Sequence, residues 1–397
     1  MNYKISSYQR KDNRWEAQSY YGTDEITGKR KKITKYGATE KEAVGKVRDA
    51  LAEIKNGTYV EPNKMTVSKW FKEWLEIYAK PNVKQSTYVN YRTHIESRII
   101  PAIGNLKLQR LRVDILQKFF NEQAESGSLI KPGEPLSPKT VRNLYTMMQT
   151  ALQQAYLNEL LPKKYIDSVK IPSAKPKEMR VLTKDEHKRL LCEIQRSDER
   201  YRVGILICLG TGIRVGELCG LRWEDFDEEN KLLKIRRTLN RLPSMDKSKG
   251  KTEIVIDSPK SDKSIRNIPL PTYVIESIKG HRERCNKEKV LAGTAYYDSK
   301  HIICNELGHY VEPRTIQDTF KRMAKAAGIE NVSMHCLRHT FATRAVESGV
   351  DIKTLSVILG HADATITINR YAHALEEQKR LAMDKISLFA LEDVTKS

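Results

Sequence analysis

The side chains of this 397-residue chain that could do chemistry are mostly cationic, and one is a phenol. Thr211-Gly212-Ile213-Arg214-Val215-Gly216-Glu217-Leu218 breaks an apolar stretch with glycines and restarts a helix at Arg214. A helix start offers backbone N–H groups to an anion, and a guanidinium there can reach the same anion. A salt bridge from Arg214 to Glu217 explains the pattern without any ligand, and for this segment alone it is the simpler reading. Ser333 to Gly349 has helical spacing, with Leu337, Phe341 and Ala345 recurring every four residues on its core face. His335 and Arg338 are three apart and share another face, where an imidazole and a guanidinium meet one target. Ile352 to Leu359 is a short apolar helix ended by Gly360, and His361 follows at the turn. Tyr371 comes ten residues later, in TITINRYAH, and Lys260 sits in SPKSDK, a hairpin turn expected between two strands. A lone tyrosine of this kind is ordinarily a packing residue, and a hairpin lysine is ordinarily solvated. Signatures of other chemistries are missing from the sequence: no GxxxxGK[ST] loop, no HExxH, and no carboxylate trio on strands.

The combination is more specific than its parts. TGIRxGEL, a lysine before an RxIPL strand, HxxRH, LGH and the tyrosine follow in one order over about 160 residues. On these motifs the chain resembles the tyrosine recombinases, and most closely the integrases of conjugative transposons and lambda-type phages, over nearly its whole length. The resemblance implies an active site of Arg214, Lys260, His335, Arg338 and His361, with Tyr371 as nucleophile and Glu217 orienting Arg214. The chemistry is coherent. A phosphodiester repels a nucleophile until cations offset its charge, and a phenol with an ordinary pKa of about 10 attacks only with such help. Attack would leave a 3′-phosphotyrosyl bond and a free 5′-hydroxyl, with Lys260 as general acid and His335 accepting the phenol proton. The covalent bond conserves the energy of the broken one, so the resemblance implies no ATP, no metal and no other cofactor.

The same resemblance implies double-stranded DNA as partner, at core and arm sites. It also implies a homotetramer on DNA that cuts pairwise, and the need for an accessory directionality factor is left open. Beyond Tyr371, Leu381, Ile386, Leu388, Phe389 and Leu391 form a sparse apolar stripe. We expect this tail, 372–397, to dock on a neighbouring protomer; packing on its own domain is nearly as good an account. Two other functions compete: a type IB topoisomerase that relaxes DNA, and a catalytically silent DNA-binding regulator. A basic scaffold for RNA or membrane has no motif behind it.

The elements that must hold these residues are legible in outline. Lys+Arg number 70 and Asp+Glu 50, giving +20, which asks for a polyanion: nucleic acid first, an acidic membrane surface second. The longest apolar run, Val203 to Leu209, is far short of the ~20 residues that span a bilayer. No secretory pattern opens the chain. Six cysteines without a CxxC pair read as reduced thiols, and the expected location is the cytoplasm.

The fold expected is multidomain. Residues 1–60 form a small α+β unit, a three-stranded sheet backed by a helix, which the resemblance makes an arm-binding domain. Strands are expected at Tyr3 to Tyr8, Arg14 to Gly22 and Arg30 to Gly37, with a turn over Asp24 to Gly28. The helix opens at Thr39 with a capping box to Glu42. Lys29, Arg30, Lys31, Lys32 and Lys35 cluster on or beside the sheet as candidate DNA contacts; a solvated hairpin tip is the bland reading. Residues 65–170 form an all-α core-binding bundle, with a second helix from Ser86 that stops before Pro101 and a fourth opening at Ser137-Pro138. From Asn63 to Arg180 there are 20 basic and 10 acidic residues, half of the whole excess. Residues 171–180 read as a linker. Residues 181–397 form a mixed, mainly-α catalytic domain with a small antiparallel sheet, whose strands are expected at Leu232 to Thr238, Glu253 to Asp257 and Ser264 to Leu270.

Overall fold

The computed structural model describes residues 3–23, 28–56, 59–173, 179–244, 250–257, 265–361 and 363–371, with Arg380 and Met383 beyond them. Lys260 and the tail stripe at 381–391 lie outside the described residues, as do 24–27 of the expected turn. The chain divides into two compact units, residues 1–176 and 177–397.

In the first unit, β1 (Ile5–Gln9), β2 (Trp15–Thr23) and β3 (Arg30–Gly37) form an antiparallel sheet in that order. Alternation sets its two faces. Ala17, Ser19 and Ile33 are buried under α1 (Glu40–Lys55), which turns Ala43, Val47 and Leu51 toward them. Thr39 Oγ1 accepts from the Glu42 N–H at 3.2 Å, but Glu42 Oε2 accepts from Ala38 N–H at 2.7 Å, one residue upstream of the expected reciprocal cap. Between α1 and the helices that follow, the chain is pinned at Glu61. Its carboxylate accepts from Tyr21 Oη at 2.9 Å and its carbonyl from Gln109 Nε2 at 2.7 Å.

The rest of this unit is helical: α2 (Val67–Trp74), α3 (Gln85–His94), α4 (Ile100–Ile103), α5 (Val113–Ser126) and α6 (Pro138–Leu157). Trp70, Phe71, Trp74, Phe119, Phe120 and Leu144 make the core, and Trp70 Nε1 donates to Ala151 O at 3.1 Å. The helix through α3 does not stop before Pro101. A π-turn over Ile95–Ile99 resets the ladder, and α4 begins with Pro101 in its first turn. A missing N–H costs little at that position.

The second unit packs α7 (Lys184–Arg196), α8 (Arg202–Thr211), α9 (Val215–Gly220), α10 (Thr272–Ala292), α11 (Pro313–Ala326) and α12 (Met334–Glu347) with strands at one side. Residues 203–205 and 207–211 of α8 are buried, so its apolar run is a core helix. Ile205, Leu218, Leu233, Ile268, Val274, Ile303, Phe320 and Leu337 surround it in one core. The strands differ from expectation. One expected strand splits into β5 (Leu232–Ile235) and β6 (Thr238–Pro243), which join different sheets. β5 lies between β4 (Phe226–Asp227) and β8 (Arg266–Pro269); among the described residues β6 pairs only with β7 (Thr252–Asp257). β7 and β8, the described strands on either side of Lys260, belong to different sheets and do not pair with each other. Finally α13 (Ile352–Leu359) and α14 (Ala364–Arg370) close a second small core, in which Tyr371 packs with Ala342, Val346, Leu355 and Leu359.

Candidate active site

One cleft of about 620 Å³ is lined by Arg214, Glu217, His335 and Arg338, with Gln317 and Lys321 of α11 on its rim. Three elements deliver these groups. Arg214 is the residue before α9, and Glu217 is one turn into that helix. The salt bridge expected between Arg214 and Glu217 is present. Arg214 Nη1 donates to Glu217 Oε1 at 2.7 Å and its backbone N–H donates to Oε2 at 3.0 Å, while the arginine side chain stays 40% exposed and lines the cleft.

Arg338 is 1% exposed. Its Nη1 donates to Gly212 O at 2.9 Å and its Nη2 to Leu359 O at 2.7 Å. Both carbonyls lie at the ends of helices, where they need partners. Gly212 ends α8 in the left-handed region at φ 68°, and a Cβ there would lie 2.6 Å from the Phe341 ring. Glycine is required for the turn that lines up this carbonyl. Burial, reinforced by Arg214 and Arg266, brings the Arg338 guanidinium down to about 9. It stays charged at neutral pH, and an anion in the cleft would relieve the crowding of positive charge.

Arg266, the first residue of the RxIPL strand, was not singled out by the sequence reading as a site residue. It is buried, and its Nη2 donates to Glu217 Oε2 at 2.9 Å and its Nε to Ile358 O at 2.6 Å. A Cβ on Gly360, itself at φ 64°, would lie 3.0 Å from its Nη1. Arg266 thus joins β8, α9 and the end of α13 behind the cleft. Burial alone would raise the Glu217 carboxyl; Arg266 and then Arg214 hold it below the usual carboxylate range. The sequence signal was the arginine that opens the RxIPL strand.

His335 is exposed on α12 and faces the cleft. One turn further, His339 is buried, and the two rings meet edge to face at 4.4 Å. His339 Nδ1 is hydrogen-bonded to Tyr371 Oη at 3.0 Å. Tyr371 is 4% exposed at the C-cap of α14, so its phenol lies behind the cleft wall rather than in open solvent. His361 is buried beyond Gly360, and its Nδ1 is hydrogen-bonded to Thr367 Oγ1 at 2.8 Å. Among the described residues no group of three or more His, Cys, Asp or Glu is gathered as a metal site would require. No described helix is long and apolar enough to cross a membrane.

The basic run near residue 30 divides between two faces of its sheet. Arg30, Lys32, Thr34 and Tyr36 alternate onto the open face, where Lys32 Nζ donates to Gln18 Oε1 at 3.1 Å. Tyr20, opposite Lys32, is 53% exposed there. Lys35 lies opposite buried Ala17 on the helix-facing side, and Lys31 comes within 4.0 Å of Glu61. Lys29 is exposed before the strand.

Residues 180–378 match the phage integrase family, residues 66–123 the phage integrase N-terminal SAM-like domain, and residues 5–56 an arm DNA-binding domain. A tyrosine recombinase XerC-like protein of Caldanaerobacter subterraneus subsp. tengcongensis is 30% identical over 362 residues, covering 89% of this chain and 90% of the relative. The integrase of transposon Tn1549 in complex with circular-intermediate DNA superposes with a TM-score of 0.66 at 22% identity, covering 81% of this chain and all of that one. A lambda integrase tetramer bound to a Holliday junction gives 0.55 at 19% identity, over 91% of this chain and 94% of that one.

Proposed function

The chain belongs to the phage integrase family of tyrosine recombinases, and from that premise we propose how its residues cut and rejoin DNA. Site-specific recombination through DNA cleavage and rejoining is the activity. The matches favour it over a topoisomerase or a silent regulator. The observation that carries the residue assignment is the single cleft lined by Arg214, His335 and Arg338, with Tyr371 reached through the same helix, α12.

In this reading a DNA phosphate enters the cleft and replaces water against Arg214, with Arg338 behind it. Two fixed guanidiniums offset the charge that builds on the phosphoryl oxygens. Their setting is rigid, because Glu217 and two helix-end carbonyls hold them. His335 and His361 complete the set as hydrogen-bond donors. Tyr371 forms the 3′-phosphotyrosyl bond, and Lys260 protonates the leaving 5′-oxygen. The sheet of residues 5–37 lays its open face, with Gln18, Tyr20, Arg30, Lys32 and Thr34, in the major groove of an arm site. The helices of residues 66–157 grip the core site. Four protomers act together, as in the lambda integrase tetramer, exchanging the tail 372–397, and the reaction moves a transposon-like element within the cytoplasm.

The test is recombination between two duplexes carrying the ends of the element. Joint molecules with exchanged flanks, lost in Tyr371→Phe, support the proposal. Relaxation of supercoils with no exchanged product would contradict it.

A further inference from the structure

We propose that His339 is the group that takes the phenol proton of Tyr371 during cleavage, a role given above to His335. This deepens the reading above and rests on Tyr371 being the nucleophile. Three observations converge. His339 Nδ1 lies 3.0 Å from Tyr371 Oη, within reach for direct proton transfer. Both groups are nearly out of solvent, at 6% and 4% exposure, so water does not compete freely for that proton. The His339 ring also abuts His335 at 4.4 Å, edge to face, and His335 faces the cleft where the phosphate would sit. Phenol, buried imidazole and cleft-facing imidazole therefore form a continuous row along α12.

The step balances. The Tyr371 oxygen bonds to phosphorus as the P–O5′ bond breaks. The phenol proton moves to His339 Nδ1, and the 5′-oxygen takes a proton from the general acid. Religation reverses each transfer, and His339 returns the proton to the departing phenolate. His339 also orients the nucleophile while waiting, because its hydrogen bond fixes the phenol oxygen at one end of the row.

The experiment uses the full chain on a nicked suicide duplex and follows covalent adduct formation, with DNA affinity measured alongside. His339→Asn keeps a polar atom near the Nδ1 position but cannot take a proton. It should slow adduct formation about 100-fold with DNA affinity unchanged. Replacing Tyr371 by 3,5-difluorotyrosine, whose phenol ionises more readily, should restore about tenfold of that loss in the Asn variant and little in the wild type. An Asn variant as fast as wild type, or a slow one that the fluorinated phenol does not help, overturns the proposal. Should the Asn variant fail to fold, ring-¹⁵N-histidine labelling of the unsubstituted chain and of Tyr371→Phe decides. One Nδ1 resonance must move between them; an unchanged set overturns the contact itself. If Tyr371→Phe still forms adducts, the nucleophile assignment is at fault and not only the role of His339.

Discussion

The sheet of residues 5–37 and the cleft of the second unit both gather positive charge, yet they hold it in opposite ways. On the sheet, Arg30 and Lys32 are exposed, and Lys32 has a neutral glutamine beside it. In the cleft, Arg338 and Arg266 are buried against carbonyls and Glu217. Solvated cations bind a polyanion by releasing its counterions, adapt to its shape and let it slide. Buried cations already have fixed partners, so they do not reorganise when charge develops on a reacting phosphate. The first arrangement suits recognition along a duplex, the second suits catalysis at one phosphorus atom. Conversely, losing a surface cation costs only its own contact, whereas losing a buried one strands its partners.

The contrast is tested most severely at Arg266. Arg266→Met leaves the Glu217 carboxylate buried with only Arg214, and should destabilise the second unit by about 3–5 kcal/mol. Denaturant unfolding followed by a probe in that unit measures this, and a change below about 1 kcal/mol would make the buried network dispensable.

Acid should act on both units alike, which limits the contrast to their cations. Burial, aided by Arg98, holds His94 in the first unit down to about 4, and burial holds His281 in the second down to about 4 despite a bond to Ile302 O. A folded pKa below the unfolded value of ~6.5 means the unfolded chain binds the extra proton. Stability is then complete above about pH 6.5 and falls on the way to pH 4, by on the order of 3 kcal/mol in each unit. Unfolding midpoints at pH 7 and pH 5 check this; a flat profile in either unit removes its histidine from the account.

Arg214→Lys comes next. The side chain is partly exposed, so the fold should survive, but a lysine cannot offer the planar fork. Adduct formation should fall about 100-fold while DNA affinity changes less than about threefold. Equal losses of both would erase the distinction between binding and catalytic cations. The smallest effect is expected on the sheet. Arg30→Ala with Lys32→Ala should weaken binding to a long duplex and flatten its logarithmic salt slope by about two units. Cleavage of a short core site should persist, whereas the same change at Lys35, on the helix-facing side, should leave the slope nearly untouched.

What could be read from the chain beforehand follows a physical divide. Local patterns were legible: the sheet and α1 from period-two and period-3.6 spacing, α6 from Ser137-Pro138, and the pairing of Arg214 with Glu217 from one turn of helix. Features set by distant partners were not. Whether the strand before Lys260 pairs with the one after it depends on sheet assignment, and β7 and β8 alternate much as hairpin strands do. Pro101 looked like a stop because a π-turn upstream has no sequence signature. Arg266 and His339 lay inside motifs already noticed, RxIPL and HxxRH, but the docking of β8 and α14 brings them to Glu217 and Tyr371. The burial of Tyr371 likewise depends on α13 and α14 folding back on α12.

The account turns on one covalent bond. Trapping the full chain on a nicked duplex, digesting the adduct and sequencing the nucleotide-bearing peptide tests it directly. The nucleotide should be found on Tyr371 through a 3′-phosphate ester, with a free 5′-hydroxyl on the released strand. Attachment at any other residue, or a 5′-linked adduct, would contradict it.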